Sequence, residues 1–469
     1  MLAVLAPLIV FGLVIFIHEL GHFLAAKLAG VYAPRFSIGF GPALFRRRRG
    51  ETEYVLAALP LGGYVRMASR LDSETASMEG GPETEGLKPG DEGYDPEAMM
   101  PFGPKPVPED RWFESKSLAA RLFIMIAGVT MNILLAFVIY SALNIVYGEP
   151  VIGTRVVGAV RPVAGAPSLA GLHAGDTISM VNGKAARTWD DVMEGIVAAP
   201  NGRVTIRTQR GEVVVPVGTA GAPSAEQVAR AVDFYIPPVI GQVVPGTPAV
   251  KGGIQPGDTV LSIAGQPVQS WAQLVERVSA SSGVALPFEV RRGARVVALT
   301  LTPQATPERD AATGQTRTVG RIGAAAGDVT VRQPLGVVAG IGAGARQTWF
   351  VATSIVGVVK KLATREISVK EIGGPIAITR ASVAAGQSGL LSIFLLLAMI
   401  SVNVAVLNLL PIPILDGGQI LLNIAESAKG SAFSLRTREY ILRVGLGLIL
   451  IIFVMSTYND VLRFVREKL

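Results

Sequence analysis

Two of the three histidines of this 469-residue chain lie four residues apart, in the segment His18-Glu19-Leu20-Gly21-His22. Residues at positions i and i+4 lie ~40° apart around an α-helix, so both imidazoles face one side and can bind one metal ion. The glutamate after the first histidine completes the HExxH arrangement that is typical of zinc sites. The chain contains no cysteine, so any further ligand must be His, Asp or Glu.

The HExxH segment lies inside a long apolar stretch. Residues 2–17 carry no charge, and the hydrophobic pattern continues to Ala29, which is long enough to cross ~30 Å of hydrocarbon. The residues before His18 rise ~24 Å along a helix, so the histidines are expected near the far, cytoplasmic side of the bilayer. In a soluble helix, two surface histidines would be the alternative. At bilayer depth an ionisable residue costs ~2.5 to 3.5 kcal/mol, which indicates a functional site.

The composition excludes an ordinary soluble globular protein. Hydrophobic residues make up 50% of the chain and charged residues only 17%, and the mean hydropathy is +0.45. A net charge of +7 fits either nucleic acid or an anionic membrane surface. Because the only dense basic cluster, Arg46–Arg49, lies beside an apolar stretch, we interpret it as a topology anchor. We therefore expect the lipid bilayer as a partner and no nucleic acid.

Four apolar stretches predict four transmembrane helices, at residues 1–30, 119–147, 390–422 and 441–458. A cleaved signal peptide is the alternative for the first, but Met1–Val10 lacks the basic residues with which such peptides begin. Basic residues cluster around residues 31–118, at Lys27, Arg35, Arg46–Arg49, Arg111, Lys116 and Arg121. The positive-inside rule places this loop in the cytoplasm. We therefore expect a multi-pass protein of a bacterial inner membrane. Both termini and residues 148–389 are expected in the periplasm. Within them, residues 333–389 are expected to form a helical segment that is periplasmic or interfacial.

The segment 148–389 contains a repeat with an offset of 82 residues and no gap. The positions Gly171, Gly175, Asp176, Thr177, Gly183, Trp189, Arg210 and Gly211 recur as Gly253, Gly257, Asp258, Thr259, Gly265, Trp271, Arg292 and Gly293. Each copy resembles a PDZ domain in its "GD-x-I-x-x-I-N-G" stretch, which predicts two β-rich PDZ domains at 155–220 and 238–304. PDZ grooves bind peptides by strand addition, so peptide or unfolded-protein C-termini are expected partners, with a steric lid as the alternative.

A third metal ligand is expected after the third apolar stretch. Asp416 is an acidic residue in an apolar segment, and Pro411 and Pro413 before it interrupt a helix. Irregular backbone of this kind is tolerated at membrane depth where protein buries it. A carboxylate is a suitable zinc ligand. The alternative makes Asp416 the N-cap of a helix at the cytoplasmic surface.

Together these features resemble the site-2 protease family of intramembrane zinc metalloproteases, specifically the bacterial regulator of sigma-E protease group. The resemblance covers almost the whole chain. It rests on the HExxH first span, a "G-F-G" loop at Gly39–Gly41, the two PDZ modules, a "GGPI" segment at Gly373–Ile376, and an "N-x-x-P-x-P-x-x-D-G" motif that begins at Asn408.

The resemblance implies a role for each matching residue. It implies His18, His22 and Asp416 as zinc ligands and Glu19 as the general base. It implies substrate contacts for four further residues: Asn403, Asn408, Gly39 and Gly41. For the two asparagines, hydrogen bonding between membrane helices is the alternative. The β-prone stretch Glu53–Met67, with turns around Gly62-Gly63, is implied to be a membrane re-entrant β-hairpin whose edge can hold substrate.

Two features depart from the family pattern. The "G-P-x-x-N" motif of the second span is here Gly128-Val129-Thr130-Met131-Asn132, without the proline. In addition, Leu71–Pro108 forms an insertion in the cytoplasmic loop that is rich in proline, glycine and acidic residues. We expect this insertion to be a mobile, solvated loop.

The expected fold is a polytopic α-helical membrane protein with four transmembrane helices, two periplasmic PDZ domains and a re-entrant β-hairpin. The expected function is zinc-dependent cleavage of the transmembrane segment of a single-span membrane protein, such as an anti-sigma factor already trimmed by another protease. Two alternatives remain at this point. One is a non-catalytic PDZ adaptor tethered to the membrane. The other is a membrane zincin with a soluble-type active site, whose third ligand would be a glutamate on a nearby downstream helix. Glu51 and Glu53 lie beside a strand-like region instead, which argues against it.

Overall fold

The computed structural model describes residues 2–69, 87, 89, 94–309, 316–364, 366–368 and 373–468. The chain divides into two compact units. The helical unit consists of Met1–Tyr147 and Pro334–Arg466, and the β-rich unit of Gly148–Gln333. Most of the acid-rich insertion predicted at Leu71–Pro108 lies outside the described residues.

The helices, in chain order, are α1 (Leu2–Leu28), α2 (Leu118–Tyr147), α3 (Trp189–Ala198), α4 (Ala225–Ala231), α5 (Pro248–Lys251), α6 (Trp271–Ala280), α7 (Val337–Ala363), α8 (Pro375–Ser388), α9 (Leu390–Asn408), α10 (Asp416–Lys429) and α11 (Leu435–Lys468). The strands are β1 (Arg35–Arg49), β2 (Thr52–Arg66), β3 (Glu149–Ile152), β4 (Val157–Val160), β5 (Ile178–Val181), β6 (Lys184–Ala185), β7 (Arg203–Thr208), β8 (Gly211–Pro216), β9 (Val232–Phe234), β10 (Ile240–Val243), β11 (Thr259–Ile263), β12 (Gln266–Pro267), β13 (Leu286–Arg292), β14 (Arg295–Leu301), β15 (Gln304–Arg309), β16 (Thr316–Arg321), β17 (Ala324–Ala326) and β18 (Thr330–Gln333).

Four helices in the described part of the chain are long and apolar enough to cross a membrane. They are α1, α2, α9 and α11, with the stretches Leu5–Leu28, Leu118–Tyr147, Leu390–Asn408 and Arg436–Val465. One boundary differs from the sequence prediction. The third span was expected to continue to residue 422, but α9 ends at Asn408 and α10 is a separate helix. Pro411 and Pro413 lie between them, and proline cannot continue the hydrogen bonding of a helix.

The helix that carries the HExxH segment is enclosed by its neighbours. α1 contacts α2, α8 and α9, and Val10, Ala136 and Leu397 from three of these helices lie in one buried core. α7 packs along α2 through small residues, because a Cβ at Gly344 would lie 2.2 Å from Ser141 Oγ. The segment expected to be helical at 333–389 therefore contains two helices, α7 and α8.

Strands β1 and β2 form one sheet in which each strand bends into two segments. Residues 43–49 pair with 52–57, with a reversal of the chain at Gly50 and Glu51 between them. A second reversal lies between residues 56 and 63, next to Gly62-Gly63 where the sequence suggested a turn. Residues 35–38 pair on one side with 53–56 and on the other with 63–66. Within the described ranges, residues 63–65 have a strand partner on one side only. We call residues 63–65 the edge segment.

The β-rich unit contains two repeat modules, residues 156–234 and 239–326. Their sheets have the same strand order, β6-β5-β7-β8 and β12-β11-β13-β14. α3 and α6 begin at Trp189 and Trp271, each with a hydroxyl side chain as N-cap. Gly175 and Gly257 have φ values of +88° and +89°, so the same turn recurs at the offset of the sequence repeat. The two copies of the repeat therefore fold alike.

Each module extends beyond the end that the repeat predicted. In the first module β9 pairs with β4 and Val232 is in the core, well past residue 220. In the second module β17 pairs with β10 and Ile322 is in the core, past residue 304. The sequence repeat missed these strands because α4 leads to β9 in one copy, whereas the β15–β16 hairpin precedes β17 in the other.

A buried aspartate anchors the same loop in each module. In the second, Asp258 is 1% exposed and accepts hydrogen bonds from Arg292 Nε at 2.8 Å, Arg292 Nη2 at 2.7 Å and the Gln255 N–H at 2.9 Å. Burial alone would raise the pKa of Asp258, but the bonds from Arg292 and Gln255 outweigh it, so the pKa lies below its ordinary value. Asp176 occupies the same position in the first module and pairs with Arg210.

We expect Asp258→Asn to lower the free energy of unfolding of the second module by about 1–3 kcal/mol, because Arg292 loses its buried ionic partner. The folded-state pKa is depressed, so this stabilisation is fully present above the unfolded pKa of ~3.9 and is lost as pH falls through the folded pKa. Hydrogen exchange of β11 and β13 in the full-length chain measures both effects. Glu276→Gln, at an exposed position of α6, is the control with the same change of charge. Equal exchange in the two variants would contradict the assignment.

Candidate metal centre

His18 and His22 lie one turn apart on α1, and each is 8% exposed. Their Nε2 atoms are 3.2 Å apart. The spacing of the HExxH segment thus brings both imidazoles to one side of the helix, as the sequence predicted.

Asp416 reaches these histidines from the first turn of α10. Its Oδ2 lies 3.3 Å from His18 Nε2, and its Oδ1 lies 3.5 Å from His22 Nε2. The N-cap of α10 is Leu415, and no side chain caps this end. The alternative interpretation of Asp416 as a helix N-cap is therefore wrong.

Two glycines allow α10 to fold back against the segment that follows α9. A Cβ at Gly417 would lie 2.2 Å from the carbonyl oxygen of Leu409, and a Cβ at Gly418 would lie 2.1 Å from that of Ile412. A larger residue at either position would push α10 away. This close approach holds Asp416 at the histidines.

The three side chains fit one tetrahedral metal ion. Ligand atoms at zinc distances of ~2.0–2.2 Å lie ~3.3–3.6 Å from one another at tetrahedral angles. The two Nε2 atoms are 3.2 Å apart, and each lies 3.3 or 3.5 Å from one of the two carboxylate oxygens of Asp416. Asp416 Oδ2 is buried and accepts no hydrogen bond, which is costly for a carboxylate unless a cation is close. Three protein ligands leave a fourth position open, as catalytic zinc sites require. Among the described residues, this is the one cluster of three metal-ligating side chains.

Helix α2 lies very close to α1 at the level of the histidines. A Cβ at Gly21 would lie 2.5 Å from the carbonyl oxygen of Ala127, and a Cβ at Gly128 would lie 2.3 Å from His22 Nε2. Neither position has space for a larger residue. α2 continues as one helix through Val129, which stands where the family pattern has proline.

Glu19 adjoins the edge segment of the sheet. A Cβ at Gly63 would lie 2.9 Å from Glu19 Cγ. On the other side of the cluster, Asn408 ends α9 and places its Nδ2 3.2 Å from His18 Nε2. The structure therefore brings Asn408 to the metal ligands. Asn403 is half-buried on the same helix.

The two glycines of the "G-F-G" loop shape the sheet. Both have left-handed backbone, with φ values of +88° at Gly39 and +85° at Gly41. A Cβ at Gly39 would lie 2.7 Å from the carbonyl oxygen of Leu59, and one at Gly41 would contact the Leu59 side chain at 3.7 Å. They allow β1 to bend against β2, and their contact with substrate stays a prediction.

The two glutamates considered for a soluble-type site have other partners. Glu51 accepts hydrogen bonds from Arg111 at 2.8 Å and Lys27 at 2.6 Å, which lower its pKa. Glu53 pairs with Arg35 at 2.8 Å. Neither carboxylate belongs to the cluster of metal-ligating side chains that the described residues form around the histidines.

Almost the whole chain is similar to known proteases. Residues 6–452 match the model of peptidase family M50. The chain belongs to peptidase family M50. It is 31% identical to a protein named "Putative zinc metalloprotease" from Neisseria meningitidis, over 95% of this chain and 96% of the relative. It is 30% identical to "Regulator of sigma-E protease RseP" from Escherichia coli and 29% identical to "Protease RseP" from Yersinia pestis, over 97% of each chain.

Membership of family M50 confirms three sequence predictions. The chain is a metalloendopeptidase of intramembrane proteolysis, its cofactor is zinc, and it is a membrane protein. The alternative of a non-catalytic adaptor is wrong. The individual roles of His18, His22, Asp416 and Glu19 stay predictions, which the geometry above supports.

Sequence reasoning gave no role to Gly63, Gly128 or Asn132, although all three adjoin the site. Gly128 contacts His22, and Asn132 Nδ2 lies 3.4 Å from His18 Nδ1. A signal was present, because Gly128 and Asn132 are spaced by four residues, as are the two histidines. Gly63 had no comparable signal, since its neighbour Glu19 is distant in sequence.

We expect Gly128→Ala to weaken zinc binding by about 5- to 150-fold, because the added Cβ would displace His22 and overpacking costs about 1–3 kcal/mol. Competition with a chromophoric chelator measures the zinc affinity of the purified chain. Gly447→Ala on α11 is the matched control, since nothing lies within 4 Å of a Cβ there. Wild-type zinc affinity in Gly128→Ala would contradict this account of the α1–α2 contact.

Proposed function

We propose that this endopeptidase cleaves the transmembrane segment of single-span membrane proteins, with zinc held by His18, His22 and Asp416. The observation that carries the proposal is that the two imidazoles of a helix long enough to span a membrane lie 3.3 and 3.5 Å from the carboxylate oxygens of Asp416. Placing ionisable side chains at that depth is costly, and cleavage of a soluble peptide would not require an active site there. Cleavage of a substrate within the bilayer does require one.

Glu19 is the proposed general base. Bound zinc lowers the pKa of water at the open position and polarises the scissile carbonyl. Glu19 follows His18 directly on α1, so its carboxylate can take the proton from water and return it to the leaving amine. The Asn408 amide beside His18 is positioned to donate a hydrogen bond to the substrate backbone, and Asn403 lies five residues earlier on the same helix.

The edge segment is the proposed binding site for an extended substrate. A substrate helix occupies its carbonyls with i to i+4 hydrogen bonds, so a scissile bond must first leave the helix. Residues 63–65 offer strand pairing directly beside Glu19, since Gly63 adjoins Glu19 Cγ. Gly39 and Gly41 support this arrangement by allowing the bend of β1.

The sheet is proposed to enter the bilayer from the cytoplasmic side. In β1 the side chains of Leu44 and Phe45 are 70% and 60% exposed, and Arg46–Arg49 follow immediately. A change from exposed apolar residues to arginines is typical of the boundary between hydrocarbon and headgroups. The proposed topology has this loop in the cytoplasm, with both termini and the repeat modules in the periplasm of a bacterial inner membrane.

The repeat modules are proposed to be PDZ domains that exclude bulky substrates. The β-rich unit follows α2 directly and leads into α7, so the chain connects it to the helical unit at both ends. Folded modules there would hinder the approach of a substrate with a large ectodomain and allow that of a substrate with a short one. Two relatives are named RseP, and the name of one of them includes "Regulator of sigma-E", which supports a pre-trimmed anti-sigma factor as the type of substrate. Binding of peptide C-termini by strand addition is the second proposed role of the modules.

We expect Glu19→Gln to retain zinc and lose proteolysis, because this residue moves a proton and does not bind the metal. His22→Ala should lose both zinc and activity. Zinc analysis of the purified proteins, beside cleavage of a single-span model substrate, separates the two outcomes. A Glu19→Gln enzyme that cleaves near the wild-type rate would rule out the base assignment, and full zinc content in His22→Ala would rule out the ligand assignment.

We expect removal of the repeat modules to permit cleavage of an untrimmed substrate. β3 pairs with β18, and the Gly153 N–H donates to the Val329 carbonyl oxygen at 3.1 Å, so the ends of the unit are adjacent. A short Gly/Ser linker can therefore replace residues 154–328 and keep this strand pair. The experiment measures cleavage of the trimmed and the full-length substrate by the wild-type enzyme and by the shortened enzyme.

The same replacement in the Glu19→Gln background is the control for cleavage by another protease. If the shortened enzyme binds zinc and cuts the trimmed substrate but continues to reject the full-length one, the modules do not act as a size filter. Peptide binding would then be their remaining proposed role.

A further inference from the structure

We propose that Asn132 is a positioning residue that orients His18 for the metal, and that α2 therefore fixes both histidines of α1. The inference rests on the proposed function, because it concerns two of the zinc ligands assigned there. Asn132 does not bind the metal in this proposal. It acts through the imidazole of His18.

His22 shows how α2 can orient a ligand. Its Nε2 faces Asp416, and its Nδ1 lies 2.8 Å from the carbonyl oxygen of Ile124 on α2. A carbonyl oxygen only accepts hydrogen bonds, so Nδ1 carries the proton and Nε2 keeps its lone pair for a metal. Metal-binding histidines usually donate their second N–H to such a partner, which fixes both the tautomer and the ring orientation.

His18 requires an equivalent partner, and Asn132 is the side chain that meets its Nδ1. Asn132 is fully buried, and its Nδ2 lies 3.4 Å from His18 Nδ1. Its Oδ1 is buried without a hydrogen-bond partner. The His18 tautomer decides which end of the amide is needed. If His18 donates its Nε2–H to Asp416, Nδ1 accepts from Asn132 Nδ2. If Nε2 binds zinc, Nδ1 carries the proton and requires an acceptor.

An asparagine can supply either group at the same place. The two ends of its amide are nearly equal in size, so a rotation of 180° about the last side-chain bond exchanges Nδ2 for Oδ1. After that rotation Oδ1 accepts the His18 Nδ1–H, as the Ile124 carbonyl oxygen does for His22. Leucine has a similar shape but offers neither group, and aspartate offers the acceptor only.

The packing of the helices matches this role. His22 contacts Gly128 and His18 contacts Asn132. The two histidines of α1 and their two neighbours on α2 are thus both separated by four residues. Asn132 is also held from a third helix, because Ser401 Oγ on α9 donates to its carbonyl oxygen at 2.8 Å. The backbone at Asn132 is therefore fixed relative to both α1 and α9.

The test measures zinc affinity of the purified full-length chain by chelator competition, together with the visible absorption of the Co²⁺-substituted protein. Asn132→Leu should bind zinc about 10- to 100-fold more weakly and change the Co²⁺ spectrum, because His18 loses its partner. Asn132→Asp should bind zinc at least as tightly as wild type, because it keeps the acceptor. Asn132→Ala is the second removal variant and should behave as Asn132→Leu does.

Asn144→Leu is the matched control. Asn144 is a second buried asparagine on α2, and it bonds to Gln347 on α7 instead of a histidine. This variant should lose stability without losing zinc affinity. A loss of zinc equal to that of Asn132→Leu would assign the effect to general helix packing and overturn the inference.

Two further outcomes would overturn it. One is wild-type zinc affinity and an unchanged Co²⁺ spectrum in both removal variants. The other is an equal loss of affinity in Asn132→Asp and Asn132→Leu. A failure of the proposed function looks different, since wild type would then not bind one zinc ion per chain, or His18→Ala would still bind it.

Discussion

A carboxylate oxygen buried without a hydrogen-bond partner beside two imidazoles is the constraint on which the rest of the helical unit depends. Such a group is stable only when a cation is close to it. The three metal-ligating side chains are close enough to bind one ion, and they come from α1 near the start of the chain and α10 near its end. The fold must therefore bring these two helices within a few ångströms of each other while both lie among apolar side chains.

Glycine provides this close approach. Gly21 and Gly128 remove the side chains between α1 and α2, and Gly417 and Gly418 do the same between α10 and the segment that follows α9. In each case a Cβ would lie within about 2.5 Å of an atom of the opposing segment, where no side chain fits. The valine at position 129 leaves α2 as one helix, so the site requires the glycine of the "G-P-x-x-N" motif and not a proline kink.

The sequence predicted the parts of the structure that local spacing determines. The i and i+4 histidines, the four apolar stretches and the repeat of 82 residues all lie within single segments or in strict register, and each could be found without knowing the tertiary structure. Asp416 was found because two prolines and an acidic residue are unusual in an apolar stretch. The contacts of Asn132 with His18 and of Gly63 with Glu19 were not found, because no local pattern tells which distant segments will meet. The same reason explains why β9 and β17 lay outside the predicted modules.

The two units are stabilised in different ways, and this bears on how the site keeps its geometry. Each repeat module has its own apolar core and a buried aspartate that is paired with arginine. The helical unit instead places its ligands beside a helix that lies largely at the surface of the protein, since only 11% of the apolar window of α11 is buried. Yet α11 supports the turn before Asp416, where a Cβ at Gly445 would lie 3.1 Å from the Ile414 nitrogen, and Arg438 bonds to Glu426 of α10 at 2.7 Å. These contacts of α11 with Ile414 and Glu426 therefore help to hold α10, and with it Asp416, against the two histidines.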